Sequence, residues 1–445
     1  MLEKLFKGDH RSSLIKKNIV GSFAIKAWSG LAQLLLVPVS LNCLTKEEYG
    51  VWLVINSILI AVSYMDIGLG NGLRNKLAES LAQNDREKSQ KLVSTTFYML
   101  SFMVIPAIVI AYLVIYGIDL YEILNCNKES IPNLADVLFV SFALTAMTFA
   151  FKFIGNVYLA LQLPAINNLI NVMGLTVSLV GIAILGFAGK SGLMPVAAIF
   201  TASPLLVYII SYPITFKVKY KYLCPKYSLF DKKELKGLFS LGISFFFIQI
   251  AGIVLFQSSS IIISNVLSPN EVVPFQVSYR YYTLASMIIA IISAPLWAAT
   301  TDAYTKGELD WMRTTEKKVQ KVILGCAILL FIMTIISPWF YMVWVGNKVE
   351  IPPLLSVLMA IYTLVIAFSS CYSNMIYGTG KIRLILILTV LEAIFYVPLG
   401  YYLGMVWGIY GIILALIIVT PICAIANFIQ FKKIVNGRAS GIWGR

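Results

Sequence analysis

Histidine is nearly missing from this 445-residue chain: the single copy, His10, stands ahead of the first apolar run. A zinc centre built on imidazoles and a histidine proton relay therefore have no material. The six cysteines, Cys43, Cys126, Cys224, Cys326, Cys371 and Cys423, are scattered without metal-ligand spacing and read as packing residues. Only Cys43 and Cys126 fall near one face of the chain, and a disulfide between them is disfavoured. Charge is scarce as well. With 13% charged and 59% hydrophobic residues, the chain falls far below the roughly 25% charge of soluble domains, which excludes a soluble fold. No segment of about ten residues alternates polar and apolar, so a β-barrel is not expected. No small-residue cleavage site follows the basic N-terminal arm, so no removable signal peptide is expected. Gly189-Lys190-Ser191 imitates the end of a phosphate-binding loop, but Ile184 stands where the motif needs its first glycine. Nor is there a long outer loop with the basic and histidine residues that a membrane ligase or polymerase of sugar chains would use. No catalytic residue and no metal ligand is expected, and the chain does not read as an enzyme.

What the sequence does contain is apolar runs of about 20 residues, long enough to cross a ~30 Å hydrocarbon core as helices. Twelve can be drawn. The first six are Ile19 to Leu41, Tyr49 to Leu69, Leu92 to Ile118, Ala135 to Leu161, Leu169 to Phe187 and Leu193 to Phe216. The second six are Leu238 to Ile262, Val272 to Trp297, Val322 to Val345, Leu354 to Ile376, Leu384 to Met405 and Ile409 to Phe431. The expected fold is an all-α polytopic membrane protein of about twelve transmembrane helices in two six-helix bundles. The expected division is residues 1–216, a basic cytoplasmic linker at 217–236, and 237–445.

The formal charge of +14 follows topology. Lysines and arginines gather in the N-terminal arm, the tail and alternate loops, whereas the remaining loops hold only Lys46, Lys128, Lys190 and Lys348. By the positive-inside rule both termini are expected in the cytoplasm, and the basic charge faces anionic lipid headgroups rather than nucleic acid. The linker, with Lys217, Lys219, Lys221, Lys226, Lys232, Lys233 and Lys236, reads as a solvated tether. A shift of 223 residues lays Leu44-Thr45-Lys46-Glu47-Glu48 over Leu267-Ser268-Pro269-Asn270-Glu271, and Glu79 and Asp85 over Asp302 and Glu308. Two like-oriented halves follow, with substrate expected between them near mid-depth.

Polar residues at helical spacing mark faces turned away from lipid. The first run carries Ser22, Lys26, Ser29, Gln33 and Ser40; the fourth carries Ser141, Thr145, Thr148, Lys152 and Asn156. Lys26, Asp66, Lys152, Arg280 and Glu392 are ionisable and lie well inside the runs, at about 2.5–3.5 kcal/mol each on insertion scales. Lys26 and Asp66, on consecutive helices, read as an ion pair. Lys152 and Arg280 have no obvious acidic counterpart in the sequence and point to a cationic cavity for an anionic substrate. Tyr279, Tyr281 and Tyr282 surround Arg280 and serve either to stack on sugar rings or as an interfacial belt. Gly400, Gly404, Gly408 and Gly411 read as close helix packing. The candidate substrate-binding residues are Lys26, Lys152, Arg280, Asn156, Gln249 and Tyr279; the candidate ion-coupling residues are Asp66 and Glu392.

The stretch Tyr64-Met65-Asp66-Ile67-Gly68-Leu69-Gly70-Asn71-Gly72-Leu73-Arg74-Asn75-Lys76 resembles the end of the second helix in Wzx-type polysaccharide-unit flippases. Leu44 to Gly50, Pro295-Leu296-Trp297 with Asp302-Ala303-Tyr304, and Gly378-Thr379-Gly380-Lys381 resemble other parts of the same pattern. That family belongs with the multidrug, oligosaccharidyl-lipid and polysaccharide exporters. The resemblance implies two six-helix bundles in a V, and an undecaprenyl-pyrophosphate-linked oligosaccharide of the O-antigen or capsule pathway as substrate. It implies alternating access in the bacterial inner membrane without ATP, with no cofactor beyond a coupling proton or Na⁺, and other polysaccharide-assembly membrane proteins as partners. In this pattern Gly68, Gly70 and Gly72 would either let the backbone bend at the cytoplasmic end or simply stop the helix. The rival readings are a cation-coupled drug exporter of the same superfamily, which would want an acidic cavity, and a membrane-embedded glycan-assembly enzyme.

Overall fold

The computed structural model describes residues 10–63, 69–161, 163–240 and 243–444. The chain is all-α, and no strand occurs among the described residues. In a bilayer every backbone N–H and C=O must be satisfied internally, and a helix does this within one segment.

The first-half helices are α1 (His10–Cys43), α2 (Lys46–Ser63), α3 (Leu69–Ala82), α4 (Arg86–Gly117), α5 (Leu120–Leu124), α6 (Leu134–Phe151), α7 (Phe153–Ala160), α8 (Pro164–Phe187) and α9 (Leu193–Pro213). After a wide turn at Ile214–Lys219 follow α10 (Lys232–Ser240), α11 (Ile243–Val266), α12 (Pro269–Thr305), α13 (Leu309–Val345), α14 (Pro353–Thr379) and α15 (Arg383–Val435). The described parts of the twelve apolar runs lie almost wholly on helix, with residues 64–68 of the second run and 241–242 of the seventh outside the described residues. Among the described residues, seven helical spans are long and apolar enough to cross a membrane: α4, α6 with α7, α8, α9, α13, α14 and α15. Ile105, Leu113, Phe331 and Phe395 are each more than 60% exposed, as residues facing lipid are.

The helix boundaries carry the repeat. Cys43 and Val266 end α1 and α11, Lys46 and Pro269 start α2 and α12, Ala82 and Thr305 end α3 and α12, and Arg86 and Leu309 start α4 and α13; every pair is 223 residues apart. Asp85 caps α4, its carboxylate accepting from the Lys88 amide at 2.9 Å, which satisfies a first-turn donor.

Two compact units emerge. One is built almost wholly from α1, α3, α4 and α6 to α10; the other from α2, α5 and α11 to α15. In the first, α1 packs on α8, α8 on α9, α9 on α6 and α6 on α4. Its core holds the stacked rings of Phe153 and Phe216, 5.6 Å apart, with Phe97 and Tyr212 beside them. In the second, α14 lies against α12, α13 and α15.

The segment read as a solvated tether is docked on the first unit. Leu223 is fully buried, and the Gln90 amide donates to the Cys224 carbonyl at 2.7 Å. The amides of Lys226 and Asp231 donate to the hydroxyls of Ser94 and Thr95 at 3.0 and 3.1 Å. Lys91 pairs with Asp231 at 3.2 Å. The lysines at 217, 219, 221, 226, 232 and 233 stay exposed. Net charge reported the exposed lysines and was blind to the small hydroxyls of α4 that hold the backbone.

Gly72, expected to let the chain bend or to stop the helix, lies inside α3. A Cβ there would stand 2.2 Å from the Leu238 carbonyl oxygen of α10, so this glycine permits a close helix approach. Gly68 lies outside the described residues. The glycines near residue 404 do pack closely. Gly408 turns α15 sharply at φ 61°, and a Cβ at Gly411 would meet the Leu403 carbonyl at 1.9 Å.

Candidate functional site

In the first unit the polar stripe of the fourth apolar run leads to a tightened helical turn. α6 stops at Phe151, and Lys152 lies between it and α7 with its amide shared between the carbonyls of Thr148 and Phe149 at 3.0 and 3.2 Å. The next turn tightens, the Gly155 amide donating to the Lys152 carbonyl at 3.0 Å. Tight turns within a helix recur where backbones hinge or bind. Lys152 and Asn156, one turn apart and both half-buried, flank Gly155. A Cβ at Gly155 would fall 2.2 Å from Asn167 Oδ1, so α8 brings its asparagines against this turn. One turn further along α8, Asn171 Oδ1 accepts from the Tyr208 hydroxyl at 3.1 Å. The structure thus gathers Lys152, Asn156, Asn167 and Asn171 in one region. The asparagines of α8 were missed in the sequence; their signal was amide side chains at i and i+4 in an otherwise apolar helix. Lys26, on α1, is exposed. Its expected partner Asp66 lies outside the described residues.

In the second unit Arg280 and Tyr279 are half-buried on α12. Neither Lys152 nor Arg280 is isolated: both interact with neighbouring groups, and the Arg280 charge lies within electrostatic reach of Tyr49 on α2. Tyr281 and Tyr282 neither line an open surface nor form a belt. Both are buried, and their hydroxyls tie α12 to α13 through the Met333 carbonyl and the Thr334 hydroxyl, each at 2.9 Å. Gln249 lies on α11, with its side chain outside the described set.

Glu392 is 4% exposed on the first arm of α15. One of its carboxylate oxygens accepts from the Cys423 amide at 2.8 Å, two residues past Pro421. Proline cannot donate to the helix ladder and distorts the turn around it, and the carboxylate engages a donor in that turn. Thr389 and Asn427 approach the Cys423 sulfur at 3.8 and 3.5 Å. Asn427 also donates to the Ser373 hydroxyl at 2.8 Å, while its carbonyl oxygen is buried without a partner. Tyr362, in turn, is within electrostatic reach of Tyr279, Tyr396 and Glu392. Two candidates, Tyr279 and Glu392, thus lie within electrostatic reach of one buried tyrosine.

A second buried acid escaped the sequence reading. Glu316, 3% exposed, holds Lys432 at 2.9 Å from both carboxylate oxygens. It sits in a run with Arg313, Lys317, Lys318 and Lys321 that reads as a loop, yet α13 extends through it. Met312, Thr315 and Val319, all buried, carry the helical period that marked it. Among the described residues no three His, Cys, Asp or Glu side chains meet as metal ligands, and none of the six cysteines is in a disulfide.

The chain is 22% identical to a candidate O-antigen transporter of Salmonella typhimurium, over 87% of this chain and 89% of that one. It is also 22% identical to a candidate O-antigen export protein of Yersinia pseudotuberculosis, over 88% of this chain and 91% of that one. Among solved structures it resembles an inward-facing multidrug resistance transporter of the MATE family, in the MOP superfamily. The TM-score is 0.79 at 14% identity, covering 94% of this chain and 98% of that one, and this likeness carries the fold. With residues 15–297 matching it, the chain belongs to the polysaccharide biosynthesis protein family.

Proposed function

We propose that the protein is a flippase that carries an undecaprenyl-diphosphate-linked oligosaccharide, an O-antigen or capsule unit, from the inner to the outer leaflet of the bacterial cytoplasmic membrane. The observation that carries this reading is similarity over nearly nine-tenths of the chain to proteins named for O-antigen transport, joined to membership of the polysaccharide biosynthesis family. Movement across the membrane by alternating access fits an all-helical exporter fold better than bond formation does. Both termini lie in the cytoplasm on the strength of lysine and arginine placement.

Lys152, Asn156 and Lys26 in the first unit, and Arg280, Tyr279 and Gln249 in the second, are the groups we assign to the diphosphate and its sugars. Basic side chains inside apolar helices are costly and suit an anionic cargo. Glu392, buried and bonded to the Cys423 amide just past Pro421, and Asp66 are the carboxylates assigned to a coupling proton or Na⁺. Anionic phospholipids would neutralise the exposed lysines, and other polysaccharide-assembly membrane proteins would supply the substrate and take the product.

The test is leaflet accessibility. Proteoliposomes loaded with a lipid-linked oligosaccharide should expose its sugars to an external lectin faster with the protein than without, with no new glycosidic bond. Relocation of cationic drugs but not of the lipid would support a drug exporter instead, and new glycosidic bonds would support an enzyme.

A further inference from the structure

The second unit contains a cavity of about 420 Å³, within the roughly 300–1,000 Å³ of small-molecule sites. It lies between α13, α14 and α15, walled by Leu324, Ala327, Leu364, Phe368, Ala424 and Ile425. Leu324 and Ile425 are 62% and 56% exposed, so the cavity is a groove open along the lipid-facing side. The space has a cause in the sequence. Ala327 and Ala424 are short, and Pro421, which also lines the groove, interrupts the ladder of α15.

Apart from Gln320 at one end, every lining residue is apolar. At that end the chemistry changes within a turn. Phe368, Tyr372 and Phe428 form a ring cluster with centroids 4.9–6.0 Å apart, and beyond it lies the Glu316 and Lys432 pair. Gln320 donates to Glu316 at 3.4 Å. Lys317 and Lys321 precede Leu324 at i, i+4 and i+7 on α13, the spacing of one helix face. Both are exposed, as is Lys318. With Glu316 offsetting Lys432, the rim keeps the positive charge of these three lysines.

A dry trough capped by lysines matches a long hydrocarbon chain with a strongly anionic head. We propose that this groove seats the head-proximal isoprene units of the lipid-linked substrate while it waits in the inner leaflet, its diphosphate held at Lys317 and Lys321 before it passes to the residues assigned above. The proposal rests on the functional reading above. The rim favours a diphosphate over a phosphodiester headgroup, because lysine binds phosphate as a point charge and the diphosphate carries more negative charge.

The experiment uses the full chain in phosphatidylcholine nanodiscs with a photoreactive polyprenyl diphosphate carrying a diazirine on its hydrocarbon chain, mapped by peptide mass spectrometry. Label should fall on residues 320–327 and 421–425, and unlabelled polyprenyl diphosphate should displace it about tenfold better than phosphatidylglycerol. Ala424→Trp, which fills the trough, should lower labelling about fivefold. Because that variant can misfold, Lys317→Glu with Lys321→Glu, both at exposed positions, should lower it about tenfold with folding unchanged. Label elsewhere, equal displacement by phosphatidylglycerol, or labelling indifferent to the charge reversal overturns the proposal. The wild-type leaflet assay separates the two readings. Relocation without label in the groove removes the groove alone; label in the groove without relocation removes the flippase reading alone.

Discussion

Glu392 accepts the backbone amide of Cys423 at 2.8 Å across the two arms of α15, so one buried carboxylate is both a helix-to-helix tie and a candidate coupling group. Substitutions separate these roles. Glu392→Gln keeps an acceptor of the same size and should fold with a melting temperature close to wild type. Glu392→Leu strands the amide and should lose about 1–3 kcal/mol. If the charge serves coupling, Glu392→Gln should still lose transport about tenfold or more in the leaflet assay. Wild-type transport by that variant would leave Glu392 as a structural tie only.

Lys152 and Arg280 test the headgroup assignment. Lys152→Ala and Arg280→Ala should each slow lipid relocation by about tenfold while protein abundance in the membrane stays near wild type. Arg280→Lys should recover part of the loss, since the charge survives and the planar fork does not. Full transport by both alanine variants would remove these side chains from the substrate site.

The buried pair of Glu316 and Lys432 should respond asymmetrically. Lys432 is 44% exposed at its side chain and Glu316 only 4%. Losing the lysine leaves a carboxylate buried without its cation, whereas losing the acid leaves a lysine that reaches water. Lys432→Met should therefore destabilise by about 3–5 kcal/mol. Glu316→Gln should destabilise less, and the double variant should recover most of the loss. Thermal melts of the four proteins in detergent form the cycle that measures it; equal losses from the two single changes would contradict the burial argument.

Hydropathy made the spanning helices legible because their runs of about 20 apolar residues stand out in the sequence, and the 223-residue offset reappears at four pairs of helix boundaries. What stayed hidden was decided by tertiary partners. Tyr281 and Tyr282 resemble belt or stacking residues until α13 supplies the Met333 carbonyl and Thr334 hydroxyl for their phenols. Glu316 disappears in a basic run because its partner, Lys432, is 116 residues away. Asn167 gained meaning only when Gly155, on another helix, left space for it. Glu392 could be named from its position in an apolar run, but its contact with the turn after Pro421 could not.

Asp231 anchors the docked basic segment. Its carboxylate accepts the Lys233 amide at 2.8 Å and pairs with Lys91. Together these hold its pKa below the usual carboxylate range, the backbone hydrogen bond contributing most. A depressed folded-state value means the contribution is fully present above the ordinary Asp pKa of about 3.9 and disappears as pH falls through the lower folded value. Across neutral pH the docking should therefore be indifferent to pH. Asp231→Asn imitates protonation and should loosen the segment at neutral pH, raising amide exchange over residues 224–234 by about two- to fivefold, as expected for an exposed pair. High salt should produce part of the same change in the wild type by screening Lys91 from Asp231. The Lys226 and Asp231 amides remain bonded to Ser94 and Thr95, so a second change, Thr95→Val, should be needed before the segment detaches. Unchanged exchange in both the single and double variants would mean that burial of Leu223 holds the segment without them.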